Sequence, residues 1–188
     1  MPQTDLSTPE HRPIPCNLVL IGFMGAGKST VSDYFHTHYN MDVIEMDRII
    51  AQREGMSITD IFNRYGEEYF RDLETALLVE MQSRRNVILS CGGGVPLRER
   101  NVAEMKKIGP VILLTADPQT ILDRLREDHS RPLLENNKNI DFVRTLLDSR
   151  RSKYEAAADI AVRTDGKTPG EISEEVLDKI QAIDVLAN

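Results

Sequence analysis

At 188 residues, 40% hydrophobic and 28% charged, the chain can build one packed core and not two, so a single mixed α/β domain is expected. A net charge of −7 argues against nucleic acid polymers and anionic membrane surfaces as partners, while leaving room for a basic pocket around a small anion. Two cysteines without metal-ligand spacing, no secretory-type segment and no apolar run near the roughly 18 residues of a membrane helix point to a cytoplasmic protein.

Residues 1–15 are polar and proline-rich and read as a disordered leader before a single domain over 16–188. Short apolar runs then alternate with helix-period stretches, the pattern of parallel βαβ units. Strands are predicted at Asn17–Ile21, Asp42–Glu45, Val87–Ser90, Val111–Leu114 and Asp159–Val162. Between the second and third, Ser57-Ile-Thr-Asp60 has the spacing of a helix start. Gly66 to Ser83 follows as a long amphipathic helix, with Phe70, Leu73, Leu77 and Leu78 on one face and Glu67, Glu68, Asp72 and Glu80 on the wet side. Two helices are therefore expected there, as a substrate-binding insert over residues 47–83. Residues 127–139, EDHSRPLLENNKN, have no period and read as a mobile lid. With Gly22-Phe-Met-Gly-Ala-Gly27-Lys28-Ser29 directly after the first strand, the expected fold is a P-loop NTPase-type three-layer α/β arrangement, with a central five-stranded parallel sheet, helices on both faces, a lid and a helical insert.

Directly after the first strand, Gly22 to Ser29 matches G-x-x-x-x-G-K-[ST] and leads into the helix-period stretch Thr30 to Tyr39. Glycines let successive backbone N–H groups turn toward phosphates, so Gly25, Ala26, Gly27, Lys28, Ser29 and Thr30 are the candidate nucleotide contacts. Lys28 would reach the β and γ phosphates, and the Ser29 hydroxyl would ligand Mg²⁺. ATP is favoured over GTP, because the nearest approach to a guanine-reading NKxD motif, Asn137 to Asp141, is one residue too long.

In open parallel sheets ligands bind at the carboxyl ends of the strands. The second strand ends in Glu45-Met-Asp47, and alternation along an extended segment would point both acids at the phosphate loop, to hold Mg²⁺ waters or to orient a hydroxyl. Helix capping at Arg48 is the other use of such acids. The third ends in Ser90-Cys-Gly-Gly-Gly94, where bare backbone would let an acceptor molecule approach closely, unless the glycines serve a left-handed turn before a helix near Leu97. Arg71 and Glu74 are neighbours at i and i+3, either a surface ion pair or a guanidinium held for a substrate carboxylate.

With the phosphate loop, the acidic pair, FRDLE, SCGGG, RPLL and Arg150-x-x-x-Tyr154 in this order, residues 17–183 resemble the shikimate kinase family. The resemblance implies ATP-dependent, Mg²⁺-assisted phosphorylation of the shikimate 3-hydroxyl, in aromatic amino acid biosynthesis, by a monomer. It implies Asp47 as base, Arg71, Glu74, Gly93, Gly94 and Arg150 as shikimate contacts, and Arg131 as the lid arginine at the transferring phosphate. Arg124 and Pro169 would flank adenine, and Ser90 would contact a magnesium water beside Ser29, Glu45 and Asp47. The chain departs from the family pattern in carrying Glu45 where aspartate is usual, and Arg151 without the proline often found in that segment. A kinase for gluconate or an amino-substituted shikimate, and a regulatory nucleotide-binding module without turnover, are the competing readings.

Overall fold

Residues 14–126 and 139–186 are described by the computed structural model. Apolar runs form strands β1 (Leu18–Gly22), β2 (Asp42–Glu45), β3 (Val87–Ser90), β4 (Val111–Thr115) and β5 (Ile160–Arg163). They pair in parallel in the order β2-β3-β1-β4-β5. The neighbours of β1 therefore lie on opposite sides of it in chain order, which makes its carboxyl end the crevice of the sheet.

Successive side chains of a strand point to opposite faces, and both faces are covered. Leu18 and Leu20 of β1 meet Val31 and Phe35 of α1 (Lys28–Tyr39) and Ile172 and Val176 of α8 (Pro169–Leu186). Val19 and Ile21 belong to the opposite core, with Leu77 and Leu78 of α4 (Glu67–Met81), Met105 of α5 (Glu99–Lys106), Ile121 of α6 (Pro118–Arg126) and Val143 of α7 (Ile140–Ala157). Each such aliphatic side chain contributes about 1.5–3 kcal/mol when removed from water. Among the described residues no helix is long and apolar enough to cross a membrane.

Two strands start one residue later than their apolar runs, for the same reason. The Asn17 side chain donates to the Arg84 carbonyl and accepts from the Val87 amide, tying β1 to β3 by side chain instead of by ladder. Asp159 Oδ2 likewise accepts from the Val111 amide, at 2.8 Å, at the foot of β4.

Three helices, not two, separate β2 from β3. Besides α3 (Ile58–Tyr65), whose Ser57 cap accepts from the Asp60 amide, and α4, there is α2 (Met46–Glu54). It follows β2 with no intervening loop, and Glu45 stands at its N-cap without a side-chain cap bond. The only sign of it in the sequence is the acidic pair, whose alternative use is to cap a helix at Arg48, and Asp47 does stand in its first turn. Its buried residues, Met46 and Ile50, show that packing against the core stabilises it.

Candidate active site

The phosphate loop turns on glycines at positive φ, 76° at Gly25 and 98° at Gly27, where a β-carbon would be strained by about 1–2 kcal/mol. Lys28 Nζ donates to the carbonyls of Gly22 (2.9 Å) and Phe23 (3.1 Å), so its ammonium lies over the loop. From α6, Arg124 Nη1 donates to the Gly25 carbonyl (3.0 Å) and to the hydroxyl of the buried Thr164 (3.1 Å), which pins the guanidinium against the same loop.

A cleft of about 410 Å³ opens here. Gly25, Gly27, Lys28, Ser29, Thr30 and Arg124 line one side of it, and Glu45, Asp47, Ser90 and Gly93 the other. Ala26 and Pro169 are not on its wall, and neither are Arg71, Glu74, Gly94 and Arg150, which meet it only through Gly92 and Gly93. The Ala26 amide is taken up inside the loop by the Phe23 carbonyl, and Pro169 opens α8 beside Gly170, where a β-carbon would lie 3.1 Å from the Tyr34 hydroxyl. Arg131 and the predicted lid, apart from Asn139, lie outside the described residues, as do residues 1–13.

Asp47 does not continue the alternation of β2. The chain turns helical at Met46, so Asp47 occupies the first turn of α2, while Glu45 pairs with Ser90 at the end of the sheet. Both carboxylates still reach the cleft.

None of Gly92, Gly93 and Gly94 has a positive φ, so the triplet is not a left-handed turn. What it provides is room. A β-carbon on Gly92 would fall 2.6 Å from Asp47 Oδ1, and one on Gly94 2.3 Å from Arg71 Nη1. On Gly93 it would lie 3.5 Å from the Tyr154 hydroxyl and 3.7 Å from Arg150 Nη1. Four side chains, from three helices that are far apart in sequence, thus meet one stretch of bare backbone. Arg150 also stands over the Phe23 ring, whereas Arg151 pairs with Asp148 and lines a separate cavity.

Arg71 is held on two sides. Its Nη1 lies 3.0 Å from both Glu74 oxygens, and its Nη2 donates to Glu67 at 2.8 Å. The Arg71 side chain is 18% exposed and that of Glu74 1%, so this is no surface pair. Burial pushes the Glu74 carboxyl up to about 7 even though Arg71 pulls the other way. Burial also works to lower Arg71, but Glu74 and Glu67 together hold it above the ordinary arginine value, so it stays charged.

Residue-by-residue reading of the sequence assigned no part to Gly92 or to Tyr154, whose hydroxyl donates to the Gly93 carbonyl at 2.6 Å. Arg150 and Tyr154 are separated by one helical turn of α7, and that spacing is the signal for a shared face. Among the described residues no cluster of three or more His, Cys, Asp or Glu could hold a metal by itself. The hydroxyls and carboxylates at the cleft are a hard oxygen set, suited to Mg²⁺ that also takes phosphate oxygens and waters.

A parallel sheet with a phosphate loop after its central strand, facing paired acids and two converging arginines, defines a nucleotide-dependent phosphotransferase of the P-loop kinase class. Residues 24–181 match the family model described as shikimate kinase. A shikimate kinase from Sulfurihydrogenibium sp. (strain YO3AOP1) is 40% identical over 165 residues, 88% of this chain and 98% of that one. The structure of a shikimate kinase from Acinetobacter baumannii, in complex with shikimate, superposes with a TM-score of 0.81 at 31% identity, over 90% of this chain and 94% of that one. A gluconokinase from Sinorhizobium meliloti 1021, at a TM-score of 0.58 and 22% identity over 92% of this chain and 95% of that one, shares the fold. The chain belongs to the shikimate kinase family.

Proposed function

We propose that the cleft transfers the γ-phosphoryl group of ATP to the 3-hydroxyl of shikimate, with Mg²⁺, in the cytoplasm and as a monomer. The observation that carries this reading is the meeting of Arg71, Arg150 and Asp47 at Gly92–Gly94, beside the phosphate loop. An acceptor with one carboxylate and adjacent hydroxyls fits that set: the guanidinium groups take the carboxylate and Glu74 fixes the orientation of Arg71.

Asp47 then accepts a hydroxyl proton and aligns the oxygen for in-line attack. Lys28 leaves the Gly22 and Phe23 carbonyls for the β and γ phosphates, where it balances charge spread over the equatorial oxygens. Ser29, Glu45, Asp47 and Ser90 would hold Mg²⁺, directly or through water, and when bound it would supply neutralisation of phosphate charge. The amides of Gly25, Gly27, Lys28, Ser29 and Thr30 cradle the phosphates, while Arg124 and Pro169 flank adenine. The family resemblance gives Arg131, in a lid over 127–139, a further share of the transition-state charge. In this reading 16–188 is one kinase domain after a short leader, and 47–83 is its acceptor-binding insert.

Catalytic efficiency measured with shikimate, gluconate and an amino-substituted shikimate tests the substrate: shikimate is expected to be highest, and a preference for gluconate overturns the assignment. Asp47→Asn is expected to cost about 10²–10⁴ in kcat while calorimetric ADP binding stays within about twofold. Unchanged turnover removes Asp47 from its role.

A further inference from the structure

Behind the acceptor pocket two polar side chains are buried that phosphoryl transfer does not use: Thr75 on α4, 3% exposed, and Asn101 on α5, 0% exposed. Thr75 Oγ1 donates to Asn101 Oδ1 at 2.6 Å, and Asn101 Nδ2 donates to the Val95 carbonyl at 3.2 Å. The ends of this bridge are informative. Thr75 follows Glu74 and sits one turn from Arg71, whose carbonyl lies 2.9 Å from the same hydroxyl. Val95 directly follows Gly94.

The bridge therefore joins the immediate neighbours of two groups whose separation has no slack, since a β-carbon on Gly94 would already overlap the Arg71 guanidinium. The glycine turn moves as a unit, being closed by bonds from the Val95 amide to the Gly92 carbonyl and from the Leu97 amide to the Gly94 carbonyl, both 3.1 Å. Burying a hydroxyl and a carboxamide costs free energy that an aliphatic pair would avoid. Directional bonds do what apolar contact cannot: they specify one placement of a helix against a loop.

We propose that Thr75 and Asn101 are positioning residues, which set acceptor affinity by fixing Arg71 over Gly94. This rests on the reading of Arg71 as the partner of the acceptor carboxylate. Four variants test it, with KM for shikimate, KM for ATP, kcat and melting temperature measured for each: Thr75→Val, Thr75→Ser, the double variant Thr75→Val with Asn101→Leu, and Arg71→Met. Thr75→Val and the double variant are expected to raise KM for shikimate about tenfold, with kcat and KM for ATP within about twofold, and Thr75→Ser to restore it. If Thr75→Val does not fold, the double variant, which removes both side-chain polar groups together, decides the same point. A folded bridge variant with unchanged KM for shikimate, or with both KM values shifted alike, overturns the proposal. Arg71→Met with an unchanged KM for shikimate would instead sink the reading of Arg71, and so separates the two failures.

Discussion

The two glycine-rich loops at the carboxyl end of the sheet look alike in sequence and act in opposite ways. In the phosphate loop glycine supplies backbone conformations, with φ of 76° at Gly25 and 98° at Gly27. In Gly92–Gly94 φ is unexceptional and glycine supplies empty space, which Asp47 and Arg71 fill. In the proposed reading the first loop presents main-chain donors to a polyphosphate, and the second lets side chains from α2, α4 and α7 converge on a smaller acid. One end of the cleft therefore depends on dihedral angles and the other on packing distances.

Variants at the two ends should divide the kinetics accordingly. The largest effect is expected from Lys28→Met, about 10³ in kcat, with shikimate binding by calorimetry left within about twofold. Gly94→Ala comes next: the new methyl displaces the Arg71 guanidinium, and KM for shikimate is expected to rise about 10- to 100-fold while KM for ATP holds. An equal change in both KM values would erase the distinction between the loops. Arg150→Met is expected to raise KM for shikimate about tenfold and Arg151→Met by less than about twofold, since only Arg150 faces Gly93.

The smallest effect is a pH dependence. Glu74 is held up to about 7, so below that value it is neutral and leaves the Arg71 charge less compensated; KM for shikimate is expected to be about two- to threefold lower at pH ~6 than at pH ~8. Because the folded value lies above the free value of 4.5, the native state holds this proton more firmly, and stability falls as pH rises from 4.5 through 7. Glu74→Gln should flatten both profiles.

Much of this arrangement was legible in the sequence. The alternation of short apolar runs with helical periods located all five strands within a residue at each end, most directly the three inner ones, which are buried on both faces and read as unbroken apolar runs. Where β1 and β5 begin was not readable, since Asn17 and Asp159 bond through side chains to segments about 70 and 48 residues away. Helix α2 is missing from the sequence count because its acids read first as ligands, and it is stabilised by the core and not by a side-chain cap. The acids and arginines were recognisable from their motifs. Distance in sequence hid the reason for the glycine triplet, which is the volume of Asp47 and Arg71, and likewise the part of Tyr154 in holding Gly93.

Cys91 opens the glycine turn and borders the cleft, yet its side chain is 1% exposed and its sulfur rests 3.9 Å from the thioether of Met105. Burial pushes its thiol well above the usual range, leaving no thiolate to attack an electrophile. Alkylating reagents should therefore leave Cys91 unmodified, and a covalent inhibitor for this cleft must find its nucleophile elsewhere.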